Sequence, residues 1–173
     1  DSQEFPGTGT THAEAPSTRA TDWTVDPVNG AFGRVEAGMS EAKLSSLGLP
    51  MKWGEQEQEG ATYKVVTVTA PGDITIECVL SDQIVYRCSS ESAGLHDPAG
   101  VGVGSSLGEL KRAYPHGHLL VTHENGRNAN FILGGKMMFS MDVRLINEEC
   151  FELKRCVFDE EALRVVRIVI TDV

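Results

Sequence analysis

Gly104-Ser105-Ser106-Leu107-Gly108 spells G-x-S-x-G, the spacing that sets a serine hydroxyl on a sharp strand-to-helix turn. The chemistry would be nucleophilic acyl transfer, which needs a histidine base, an orienting acid and oxyanion donors. His116, His118 and His123 follow within seventeen residues of Ser106, and Glu109 is the sole acid between them. Glu109 also stands where an S-x-x-E capping box places its acid, so Ser106 and Glu109 read as helix caps. No catalytic residue is expected. The glycines of the same run fail as a phosphate loop. Gly102, Gly104 and Gly108 give G-x-G-x-x-x-G, one residue off the dinucleotide spacing, with no G-K-[ST] ending.

Two further groupings could do chemistry. His116 and His118 flank Gly117 as H-x-H, a chelating spacing, but the other candidate ligands His12 and His96 sit on unrelated loops. Carboxylates gather in Asn147-Glu148-Glu149-Cys150 and Phe158-Asp159-Glu160-Glu161, where adjacent acids read as the solvated surface of an insertion. No metal and no cofactor is expected. A small hydrolase or metal-binding protein built on the histidine turn is the weakest of the functions considered.

The elements that must position these residues come in two copies. Gly33-Arg34-Val35-Glu36-Ala37-Gly38-Met39-Ser40 lies over Ala99–Ser106 at a shift of 66 residues, bringing Val35 onto Val101, Gly38 onto Gly104, Ser40 onto Ser106 and Leu44 onto Leu110. A proline follows each helical stretch, Pro50 and Pro115. Ser40 lacks the G-x-S-x-G pattern, so the shared feature is the cap. Strand-like alternation follows in both halves: YKVVTVTA, ITIECVL and IVYRC in the first, HLLVTHE, NFILGGKMMFSMD and LRVVRIVITDV in the second. Each unit is expected to be a short leading strand, a helix and a three-stranded meander. The fold class is therefore α+β and sheet-rich: two tandem helix-plus-antiparallel-meander units, over 23–98 and 99–173. The second unit is interrupted by an insertion over about 144–161. Residues 1–22, rich in Thr, Ala, Gly, Pro and Ser with Phe5 as the one large apolar side chain, read as a flexible leader.

Cysteines fix the compartment. The midpoint of Cys78 and Cys88 is Gln83, inside the polar turn between two strand-like runs, so the two face each other across a hairpin within disulfide reach. Cys150 and Cys156 could close a small loop around FELKR, and neither pair has the C-x2-C spacing of a zinc knuckle. Two disulfides imply a periplasmic or extracellular protein. Asp1 is not an initiator methionine, so the chain reads as a mature or trimmed form; the leader is compatible with a lipid tether upstream of residue 1 and outer-membrane anchoring. No apolar run reaches the length of a membrane-spanning helix. The net charge of −10 disfavours nucleic acid and anionic lipid, and would suit a basic protein partner.

Trp53, Tyr63 and Tyr86 are the candidate recognition residues, because aromatics on an exposed sheet face anchor protein partners. The His116-Gly117-His118 turn and the Cys150 insertion are candidate contact loops. The stretch from Gly33 to Pro50, through Gly38-Met39-Ser40, Leu44 and Gly48, resembles the helix-leading motif of the SmpA/OmlA group of bacterial envelope lipoproteins and of the beta-lactamase inhibitory protein family. That resemblance implies tandem helix-plus-sheet units with disulfides and a binding role without enzymatic activity. It points to an inhibitor of, or immunity protein against, a secreted or periplasmic enzyme, with an outer-membrane lipoprotein scaffold as the alternative. It carries over no contact residue.

Overall fold

The computed structural model describes residues 23–124, 126–152 and 156–172; the expected leader lies outside the described residues. Three two-residue strands come first: β1 (Val25–Asp26), β2 (Ala31–Phe32) and β3 (Val35–Glu36), paired as a small antiparallel sheet. Helix α1 (Glu41–Ser45) leads into β4 (Met51–Gln58), β5 (Ala61–Ala70), β6 (Ile74–Ser81) and β7 (Ile84–Ser90). Helix α2 (Leu107–Ala113) leads into β8 (His118–Thr122), β9 (Asn128–Ile132), β10 (Met137–Met141) and, after a 3-10 turn and α3 (Glu148–Glu152), β11 (Val165–Thr171). The long strands form one eight-stranded sheet in the order β4-β5-β6-β7-β11-β10-β9-β8. Every pairing within it is antiparallel.

Four strands thus follow each of α1 and α2, where a three-stranded meander was expected in each unit: in the second the run 130–142 splits into β9 and β10, and in the first a whole strand is added. The unforeseen one is β4, whose sequence MKWGEQEQ buries no residue. Apolar–polar alternation marks a strand only when one face is buried, and β4 is held by its backbone ladder to β5 from Met51↔Val68 to Gln58↔Ala61. The Cys150 segment does interrupt the second run, between β10 and β11.

Helices α1 and α2 are short and capped as their sequences direct. The Ser40 hydroxyl accepts the Lys43 N–H at 3.1 Å. At α2 the box closes in both directions: the Ser106 hydroxyl accepts the Glu109 N–H at 3.1 Å, and the Glu109 carboxylate accepts the Ser106 N–H at 2.9 Å. Gly38 and Gly104 stand two residues before the caps with φ of +93° and +91°, left-handed backbone that side chains beyond glycine rarely take. Each cap also makes an antiparallel bridge, Ser40 to Ile84 at the start of β7 and Ser106 to Arg164 just before β11.

The core lies on one side of the large sheet. Val66, Val68, Ile76, Cys78, Val85 and Cys88 from β5, β6 and β7 join Phe131, Phe139, Ile168 and Ile170 from β9, β10 and β11 in one buried cluster. Leu44 of α1, Leu107 and Leu110 of α2, and Val25, Phe32 and Val35 of the small sheet close it. Behind α2, the buried Asp97 carboxylate accepts the Val101 N–H at 3.0 Å and the Tyr114 hydroxyl. Burial raises its pKa, opposed by the backbone N–H groups of Val101, Ala99 and Gly100.

Candidate functional site

In an antiparallel sheet, residues paired across strands share a face. On the side away from the core the register runs unbroken: Lys52, Thr67, Glu77, Ser89, Val169, Met138, Ile132 and His118, one residue from each of eight strands. The neighbouring row holds Thr69, Thr75, Arg167, Ser140, Asn130 and Leu120. The second row is polar through the centre of the sheet, where the first carries Val169 and Met138, and no helix lies over either among the described residues. A hollow of about 560 Å³ opens there, its walls including Thr75, Glu77, Arg87, Asn130, Ser140 and Arg167. Arg167 is held by Glu91 at 2.8 Å, and the Ser140 hydroxyl donates to the Asn130 side-chain Oδ1 at 2.9 Å.

One irregularity shapes this face. The β6–β7 turn uses Asp82 and Gln83, both at positive φ, the signature of a two-residue hairpin turn. A two-residue turn alone pairs Ser81 with Ile84 and Leu80 with Val85, which would leave Cys78 facing Arg87. A bulge at Tyr86 shifts the register by one, and Cys78 and Cys88 come opposite each other with Cα atoms 4.1 Å apart in a disulfide. The same bulge turns Tyr86 to the open side beside Arg87. There it meets Tyr63, ring centroids 5.9 Å apart, and the Arg87 guanidinium lies 5.9 Å from the Tyr86 ring.

The recognition residues read from the sequence therefore separate. Tyr63 and Tyr86 come together on the open face. Trp53 pairs with Val66 and lies on the opposite side of the edge strand, with the Lys64 ammonium 5.0 Å from its ring. His118 is on the open face at the other edge, seven strand steps away, roughly 34 Å at about 4.8 Å per strand. His116 is exposed, and Gly117 packs so tightly under Phe131 that a Cβ would collide with the ring, which makes Gly117 a packing residue. Among the described residues no three His, Cys, Asp or Glu side chains converge as metal ligands.

Cys150 and Cys156 form the second disulfide, closing the insertion. Its acids are not merely solvated. Glu160 pairs with Lys111 and Glu161 with Arg112 at 3.6 Å, tying the insertion to α2, while Glu148 pairs with Arg127 at 2.5 Å. The Arg127 pair lowers the Glu148 pKa. Arg87, Arg167 and Glu91 are the site residues that sequence reasoning missed. Strand alternation in VVRIVIT points Arg167 away from the core and was a usable signal; for Arg87 the bulge concealed the direction.

Ser106 is buried and spent on its cap. Ser106→Ala is expected to cost about 1–2 kcal/mol in urea unfolding, with Ser106→Thr recovering most of it. A Thr variant as unstable as Ala would contradict the capping role.

No protein-family profile matches the chain, and no curated protein matches it. A solved structure has this fold. The crystal structure of the uncharacterized protein YfeY from Escherichia coli is similar over 86% of this chain and 98% of its own, with a TM-score of 0.59 and 12% identity. YfeY and this chain share architecture at that identity, and the site chemistry must be argued from this chain's own residues.

Proposed function

We propose that the chain is an exported, non-enzymatic protein-binding module that docks a partner on the open face of its eight-stranded sheet. The observation that carries this reading is the sidedness of the sheet: the buried core cluster lies on one side, and among the described residues no helix covers the other, which displays a Tyr63–Tyr86 pair beside Arg87. Tyrosine and arginine are enriched in binding hot spots, tyrosine because it offers large contact area at small entropic cost and arginine because its planar fork makes several directed hydrogen bonds. The face spans roughly 34 Å by about 17 Å, or about 600 Å² before loops are added, near the ~800 Å² per partner of a standard interface.

Two disulfides and the absence, among the described residues, of a helix long and apolar enough to cross a membrane are compatible with an extracytoplasmic protein. The 66-residue self-similarity, the four strands after each of α1 and α2 and the corresponding cap bridges support reading the sheet as two tandem units joined through β7 and β11. Within this reading, the partner is a secreted or periplasmic enzyme that the module inhibits or to which it confers immunity, as the resemblance to the inhibitory-protein family implies.

A photo-reactive phenylalanine analogue tests the docking face. Placed at Ser89 on the open face and separately at Lys43 on exposed α1, then irradiated in the native envelope fraction, it should give one discrete adduct from Ser89 alone. Adducts from Lys43 alone would overturn the assignment of the face.

A further inference from the structure

The charge of the open face runs against that of the chain. The chain carries −10, yet this face presents Lys52, Arg87 and Arg167 against Glu77 and Glu91. Arg167 is neutralised by Glu91. Arg87 is half-buried between Val79 on β6 and Thr171 on β11, lies near the Tyr86 ring, and among the described residues makes neither an ion pair nor a hydrogen bond from its guanidinium. A half-buried cation without a counter-ion has lost part of its hydration and gained no partner for it, so a carboxylate arriving there is favoured beyond what an exposed pair would give. The neighbouring hollow of about 560 Å³ is lined by Thr75, Ser89, Asn130 and Ser140, short polar groups able to accept and donate around such an acid.

Resting on the docking reading above, we infer that the partner segment seated on this face is an acidic loop, with an Asp or Glu carboxylate on the Arg87 guanidinium and its flanking residues over Tyr63 and Tyr86. Net charge alone pointed to a basic partner; the local charge of the open face reverses that sign. The planar guanidinium takes a carboxylate bidentately, while the two tyrosines supply the apolar rim that keeps water from the pair. A second copy of the chain fits poorly, because two bodies of net −10 repel on approach.

The test uses the full chain with the photo-reactive residue at Ser89, in the native envelope fraction, combined with Arg87→Gln, Arg87→Lys or Glu77→Gln. Arg87→Gln should cut adduct yield at least tenfold with the melting temperature unchanged, since Arg87 makes no ion pair among the described residues. Arg87→Lys should give an intermediate yield, and Glu77→Gln should raise it by removing a repelling charge. Mass spectrometry of the attached peptide should find Asp or Glu beside the cross-linked position. A yield raised by Arg87→Gln and lowered by Glu77→Gln, or a peptide bearing only basic residues, would overturn the acidic-loop inference while leaving the docking face intact. An adduct of two copies of this chain would overturn the choice of partner. No protein adduct from Ser89 at all would overturn both readings.

Discussion

Phe139→Ala should destabilise the protein by about 3–5 kcal/mol, the cost of emptying a fully buried aromatic site. Phe139 has no exposed surface and pairs across strands with Phe131 on one side and Ile168 on the other. Its ring also stands 6.1 Å from that of Tyr114, whose hydroxyl donates to the buried Asp97. Truncation therefore opens a cavity where β9, β10 and β11 meet the end of α2, and loosens the support of the loop before that helix. Against a total stability of about 5–15 kcal/mol, such a loss shifts the urea midpoint far to the low side. An unfolding free energy within about 1 kcal/mol of wild type would mean that Phe139 does not fill the junction of β9, β10, β11 and α2.

The second large effect belongs to the hairpin disulfide. Replacing Cys78 and Cys88 together by alanine is expected to cost about 3 kcal/mol, the loop-closure value for a bridge spanning 10 residues. Both cysteines are fully buried on the core side, so the pair also contributes packing that alanine does not replace. Wild-type protein unfolded under reducing conditions should approach the stability of the double variant. If reduction leaves the unfolding midpoint unchanged, the bridge does not hold the β6–β7 hairpin. The bridge also enforces the bulge that turns Tyr86 outward. The double variant should consequently lose partner affinity beyond what its stability explains.

What the sequence disclosed and what it concealed follow from the range of the forces involved. Helix caps are local: Ser106 and Glu109 meet within one turn, and the box closes as their spacing requires. Disulfide pairing was legible because Cys78 and Cys88 stand symmetrically about a turn, although the symmetry arises from a two-residue turn plus a bulge. That combination could not be read from residue types, and a one-residue slip decides which face a side chain takes. Tyr86 and Arg87 were therefore illegible as neighbours. Trp53 misled for a related reason. On a strand with neither face buried, alternation gives no direction, and only the pairing Trp53↔Val66 shows which side it occupies. The polar rows through Ser140, Asn130 and Arg167 depend on strands distant in sequence, and emerge only once β7 meets β11.

The glycine–serine run that suggests a catalytic elbow finds its place in the same terms. Gly104 supplies left-handed backbone, Ser106 and Glu109 the cap, and Gly38 with Ser40 repeat the device 66 residues earlier. Its role is to seat α2 against the covered side of the sheet, which leaves the other side open.

The most direct test of that open face is the dissociation constant of the partner captured through Ser89, measured for wild type and for the Tyr63→Ala/Tyr86→Ala double variant. Removing a two-tyrosine hot spot should weaken binding at least about 30-fold, the equivalent of about 2 kcal/mol, with the thermal midpoint held. An unchanged constant for a folded double variant would contradict the account.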